Sequence, residues 1–134
     1  MELLDLRIRR LNAELHRPAA EGPFSFTLDV SASVSRADKL AVYSLEYEFS
    51  SRDSDDQLVL DGQLALSVLY QLQSDSDLDD DDLTAFGEVS VLFTAYPYLR
   101  EILHTLTGRM GLPPLILDVM RSPLDEDIAS SPTD

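Results

Sequence analysis

The sequence predicts an α+β fold: a four-stranded antiparallel β-sheet meander followed by a C-terminal helical segment packing on the sheet. Three observations predict it. Four segments in the first half alternate apolar and polar residues with period two, as half-buried strands do. The links between them are short and polar. Beyond an acidic run at 75–82 the period changes, and Tyr98, Leu99, Ile102, Leu103 and Leu106 recur at helical spacing.

The first segment, LLDLRIRRLNAELH, is the least regular. Leu4, Leu6 and Ile8 share one parity, and Leu11, Ala13 and Leu15 share the other. A strand with a bulge near Arg9-Arg10 restores a single apolar face. A helix competes for this segment, and the strand is preferred. The second, FSFTLDVSASV, sets Phe24, Phe26, Leu28, Val30, Ala32 and Val34 against Ser25, Thr27, Asp29, Ser31 and Ser33. The third sets Tyr43, Leu45, Tyr47 and Phe49 against Val42, Ser44, Glu46 and Glu48. The fourth, LVLDGQLALSVLYQL, keeps Leu58, Leu60, Leu64, Leu66, Val68, Tyr70 and Leu72 in phase, with Gly62 marking a bend or bulge.

The links RPAAEG, SRADK and SRDSDD suit hairpins, so four sequential strands read as a meander with one apolar face to cover. The acidic run DSDLDDDD starts a helix, because carboxylates favour a helix N-terminus. DDLTAFGEVSVLF reads as a short helix interrupted at Gly87, and Pro97 fits the first turn of the next one. Gly108 and Gly111 offer stops, and Pro113-Pro114 forbid continuation. LILDVM is then a short extended piece. One domain is expected over 1–121, with an acidic, poorly ordered tail over 122–134. A single helical layer cannot bury all its own apolar faces on one sheet, which points to self-association.

The totals narrow the function. The chain has 134 residues, 44% of them hydrophobic, with a net charge of −15 and neither cysteine nor tryptophan. That size suits one domain. The charge opposes binding to nucleic acid or to an anionic membrane surface and suits a basic or amphipathic polypeptide. Arg7, Arg9, Arg10 and Arg17 hold four of the ten basic residues. No signal-peptide layout and no apolar run of roughly 18 residues is present. A soluble cytoplasmic protein without membrane insertion is expected.

The inventory for chemistry is thin. His16 and His104 are the two histidines, and neither lies in a metal motif. No nucleophile elbow, phosphate loop or dinucleotide loop occurs. From Asp75, Asp80 stands where a calcium loop needs glycine, and Phe86 where it needs glutamate. No catalytic residues, metal or cofactor are expected. A small-ligand domain or enzyme is the weakest of the readings.

The segment LFTAYPYLREILHTLTGRMGLPPLIL, residues 92–117, resembles the SecB export-chaperone family. The family's Pro-Tyr and Arg-Glu pairs, helix-ending glycine and Pro-Pro-Leu turn match Pro97, Tyr98, Arg100, Glu101, Arg109, Gly111, Pro113, Pro114 and Leu115. Four strands followed by such a helix is also the family's element order. The sequence departs from the family in two places. Thr94-Ala95-Tyr96 lengthens the entry, and MRSPLDEDIASSPTD stands where a last, groove-bordering helix begins.

The resemblance implies an ATP-independent holdase that binds unfolded or non-native polypeptides, with a role in export through the Sec pathway. The alternative is a dedicated SecB-like chaperone of a single partner such as an antitoxin. It implies a homotetramer, a dimer of dimers, and an acidic sheet surface that docks the SecA translocation motor. Phe93, Tyr96, Tyr98, Leu99 and Leu103 are then the candidates for client or assembly contacts. Core packing is the stronger alternative for Leu99 and Leu103. Pro97, Gly111, Pro113 and Pro114 are backbone devices, Arg100 and Glu101 are expected to pair inside the fold or across the oligomer, and Arg109 and Leu115 complete the structural motif. Glu46, Glu48 and Asp61, on the polar parity of their strands, are the acidic docking candidates.

Overall fold

The computed structural model describes residues 2–17, 22–72 and 79–113. Strands β1 (Glu2–Leu15), β2 (Ser25–Ala37), β3 (Leu40–Arg52) and β4 (Leu58–Gln71) form one antiparallel sheet in the order β1-β4-β3-β2. The three later strands make the expected meander. The first does not pair with the second but lies on the far side of β4, a Greek-key order. Link length explains the difference. Asp38-Lys39 and residues 53–57 are tight connections, whereas residues 16–24 are long enough to cross three strand spacings, about 14 Å.

The parity break in β1 is a bulge, as expected. Register shifts between Ile8 and Arg10, so Leu6 and Ile8, then Leu11, Ala13 and Leu15, all face the apolar side of β4. They stand opposite Val68, Leu66, Leu64, Gly62 and Leu60. A second shift at Leu3/Asp5 sets Leu4 aside and brings Leu3 opposite Tyr70. Gly62, by contrast, is neither a bend nor a bulge. Register runs through it unbroken against Ala13 and Phe49. A Cβ there would collide with the Asn12 carbonyl and the Phe49 ring, so the residue is small because two neighbours close over it.

The β3–β4 loop is organised by a buried carboxylate. Asp53 Oδ1 accepts the backbone N–H groups of Asp55 at 2.9 Å and Gln57 at 3.0 Å. Arg17 Nε lies 3.4 Å from its Oδ2. Asp56 takes a left-handed φ of 59°, a conformation that aspartate tolerates better than most residues.

The helical half is continuous. Helix α1 (Asp80–Phe86) passes into a π-helical turn at Gly87–Val91 and then into α2 (Leu92–Arg109). Asp79 caps it: its side chain accepts the Asp82 N–H at 2.8 Å, and Asp82 reaches back to the Asp79 N–H. The expected interruption at Gly87 does not occur. Gly87 stays right-handed helical, and its missing side chain admits the Tyr43 ring. Pro97 therefore sits inside the helix and not in its first turn. It is exposed, so water can reach the carbonyl left without an N–H donor.

Leu83, Gly87, Val91, Ala95, Leu99, Leu103 and Thr107 are buried at intervals of four. In an α-helix such a row drifts by about 40° per step. The π turn takes in an extra residue and swings the row back toward the sheet. That row packs on the apolar faces of β3 and β4, where Tyr70 meets both Tyr43 and Phe86 edge-on. The helix ends as expected at Gly111, with φ of 80°. The N–H groups of Gly111 and Leu112 return to the carbonyls of Gly108 and Thr107, both at 3.1 Å, which is a Schellman motif. Gly108 remains helical. Pro114, Leu115, the extended piece, the tail and the acidic residues up to 78 lie outside the described residues.

Candidate functional site

Two surfaces stand out, one on each face of the sheet. The apolar face is covered by the helix over its later strands but not along β1. Leu3, Ile8 and Leu11 point to that face, yet each is exposed, Ile8 by 48%. Leu4, set aside by the upper bulge, is exposed as well. On the outer side of the helix Val89, Phe93 and Tyr98 are exposed, Tyr98 by 49%, and Tyr96 is half-buried. A small domain thus leaves two apolar stripes in water, which is the surface chemistry of a protein that captures chains or pairs with copies of itself.

The candidates from the helix divide cleanly. Phe93, Tyr96 and Tyr98 reach the surface. Leu99 and Leu103 do not: they are 1% and 0% exposed in the row that packs on the sheet, so they are core residues and offer a client nothing. Arg100 is half-buried and Glu101 exposed, with Glu101 accepting from the Thr105 hydroxyl at 3.1 Å. Among the described residues neither is in an ion pair. Arg109 occupies the last helical turn, where a cation suits the helix dipole. Pro113 follows the cap and is exposed.

The polar face carries an open groove of about 660 Å³ across all four strands. Its carboxylates are Glu14, Asp29, Glu48 and Asp61, with Asn12 and Gln63 between them, and no lysine or arginine lines it. Register explains the concentration. Glu14 is directly opposite Asp61, and Glu48 directly opposite Asp29. Like charges so placed repel and destabilise a sheet. Glu48 and Asp61 therefore fall together, as their parity suggested, while Glu46 sits one row away with Arg10 Nη2 at 3.6 Å from its Oε1. Glu14 and Asp29 escaped notice because parity gives the face of a residue but not its cross-strand neighbour. Leu3, Ile8 and Leu11 were missed as surface residues because apolar alternation looks the same whether or not a helix covers it.

Burial also sets the protonation of two tyrosines on the covered face. Desolvation, with a smaller contribution from Tyr70, pushes the Tyr43 hydroxyl up to about 12, and it donates to the buried Leu83 carbonyl at 2.7 Å. Desolvation alone pushes Tyr47 up to about 12. Both serve as neutral packing groups at ordinary pH.

No protein-family model matches the chain. Two curated relatives do. The SecB-like chaperones MT2006 and Rv1957, from two strains of Mycobacterium tuberculosis, are each 26% identical over 92% of this chain and 79% of their own length. Among solved structures, Mycobacterium tuberculosis Rv1957 SecB-like chaperone in complex with a ChAD peptide from Rv1956 HigA1 antitoxin superposes with a TM-score of 0.82. That match is 28% identical and covers 91% of each chain. No described helix is long and apolar enough to cross a membrane. Both curated relatives and the solved structure are described as SecB-like chaperones. With its four antiparallel strands, its sheet-packed helix and this likeness over nearly its whole length, the chain is similar in sequence and structure to the SecB-like chaperones.

Proposed function

We propose that this protein is an ATP-independent holdase dedicated to one partner, an antitoxin-type polypeptide, which it keeps in a non-native, unaggregated state. The observation that carries the reading is the superposable relative, whose structure holds an antitoxin peptide. This supports the dedicated chaperone over the general export chaperone. The exposed aromatics Phe93 and Tyr98 and the half-buried Tyr96 form an apolar surface suited to an extended segment. Pro97, Gly111 and Pro113 fix the course of the helix that presents it.

The uncovered Leu3, Ile8 and Leu11 belong to the assembly of a homo-oligomer, a tetramer built as a dimer of dimers, working in the cytoplasm. The test uses the purified full chain with the antitoxin-derived ChAD peptide and with several chemically unfolded reporter enzymes. Saturable peptide binding, together with little suppression of reporter aggregation at near-stoichiometric ratio, is expected. Equal protection of every reporter would instead establish the general holdase.

The acidic groove favours a second role. Glu48, Asp61, Glu14 and Asp29 lie in it with no base, a surface suited to docking a basic segment such as that of the SecA translocation motor. Glu48→Gln with Asp61→Asn should weaken such docking and flatten its salt dependence, read by titrating a basic peptide at two ionic strengths. Unchanged affinity in the double variant would remove this role.

A further inference from the structure

One cluster of side chains combines a histidine with two carboxylates at the margin of the acidic groove. Glu14 lies on β1, and His16 follows one residue past the end of that strand. Asp61, on β4, is directly opposite Glu14. His16 Nε2 lies 2.7 Å from Asp61 Oδ1, and one ligand atom from each of the three residues lies within 4.8 Å of the other two. The backbone is fixed around them. The His16 N–H donates to the Val59 carbonyl at 2.7 Å, which extends the β1–β4 ladder one residue past Leu15. Two paired strands therefore present Glu14 and Asp61, and a backbone hydrogen bond holds His16 beside them.

We propose that Glu14, His16 and Asp61 form a binding site for one divalent transition ion of the zinc, cobalt or nickel class, bridging β1 to β4. The donor set selects that class, since imidazole with carboxylates suits these ions, whereas calcium and magnesium take oxygen donors. Three protein donors leave further positions for water. Charge favours the ion as well. Glu14 and Asp61 face each other with like sign, the adjoining groove adds Asp29 and Glu48, and the nearby Arg17 is engaged with Asp53. A divalent cation between the imidazole and the two carboxylates offsets the repulsion between Glu14 and Asp61. Neither histidine sits in a metal motif in the sequence, because the third donor comes from a strand 45 positions away in the chain.

The experiment uses the untagged full chain, stripped with a chelator and titrated with cobalt(II), read by its visible absorption and by calorimetry. One equivalent should bind, with zinc displacing it and millimolar magnesium not. His16→Ala, Glu14→Gln and Asp61→Asn should each weaken binding at least tenfold, while His104→Ala leaves it unchanged. Far-UV circular dichroism of each variant confirms the fold, and the wild-type melting temperature should rise with cobalt or zinc. Uptake of several weak equivalents, or equal binding by wild type and His16→Ala, would overturn the site. Since no client enters the assay, its result is independent of the chaperone reading.

Discussion

The Tyr43 ring lies on the bare α-carbon of Gly87, so close that a methyl group there would stand 2.6 Å from Tyr43 Cε1. Two effects of Gly87→Ala oppose each other. Alanine favours the helix by roughly 0.5–1 kcal/mol. Overpacking costs about 1–3 kcal/mol, and the ring cannot retreat, because its hydroxyl is tied to Leu83 and its faces to Tyr70 and Phe86. A net loss of stability is expected, read as a lower urea midpoint. A higher midpoint would mean that the helix does not sit against Tyr43.

Alkali should unfold the protein through the same ring and its neighbour. Tyr43 and Tyr47 have folded values of about 12 against a reference of 10.0. Between those values the unfolded chain releases protons that the folded chain keeps, so stability falls as pH rises. It should be level in this respect below pH 10 and decline steadily toward 12. Urea titrations from pH 8 to 11.5 measure the slope, and Tyr47→Phe should reduce it. An unaltered slope in that variant would show that Tyr47 ionises freely in the folded state.

Adjacent helix positions should separate folding from capture. Leu99→Ala empties a core site and should cost about 2–5 kcal/mol of stability. Tyr98→Ala, at an exposed position, should change stability by no more than about 0.5 kcal/mol. It should nevertheless weaken binding of the antitoxin-derived peptide about fivefold or more, in line with aromatic anchors at peptide interfaces. Full peptide affinity in Tyr98→Ala would take this residue out of the client surface.

The uncovered stripe on β1 should govern assembly. Ile8→Lys places a charge on the exposed apolar edge, a substitution that blocks strand-edge and apolar association. Multi-angle light scattering should report a smaller species than wild type, with the far-UV spectrum unchanged. A particle mass equal to that of wild type would place the oligomer interface elsewhere.

The elements were legible because local pattern determines them. Period-two alternation located all four strands, and the reversal of parity at Arg9 announced the bulge that the register contains. Gly111 was legible as a stop because a left-handed terminal residue is a local requirement. What failed was what depends on distant neighbours. Gly87 reads as a helix breaker until Tyr43 is placed over it, and Gly62 reads as a bulge until Phe49 is. The strand order depends on which edge β1 finds, and no periodicity encodes that. The functional surfaces behaved the same way. Parity put Glu48 and Asp61 on the polar face, but only the register brought Asp29 and Glu14 beside them.

Strand order also bears on how the protein comes into being. β1 leaves the ribosome first, yet its ladder partner is the last strand, with Glu2 meeting Gln71. The first-made strand must wait until the later three have been synthesised. Long sequence separation between partners slows folding and prolongs the life of open edges. During that interval Leu3, Leu4, Ile8 and Leu11 travel on an unpaired strand, the kind of segment that holdases themselves recognise. The nascent chain thus passes through an aggregation-prone stage, and raising its expression rate should deposit more of it in inclusion bodies, an effect that slower synthesis at lower temperature should relieve.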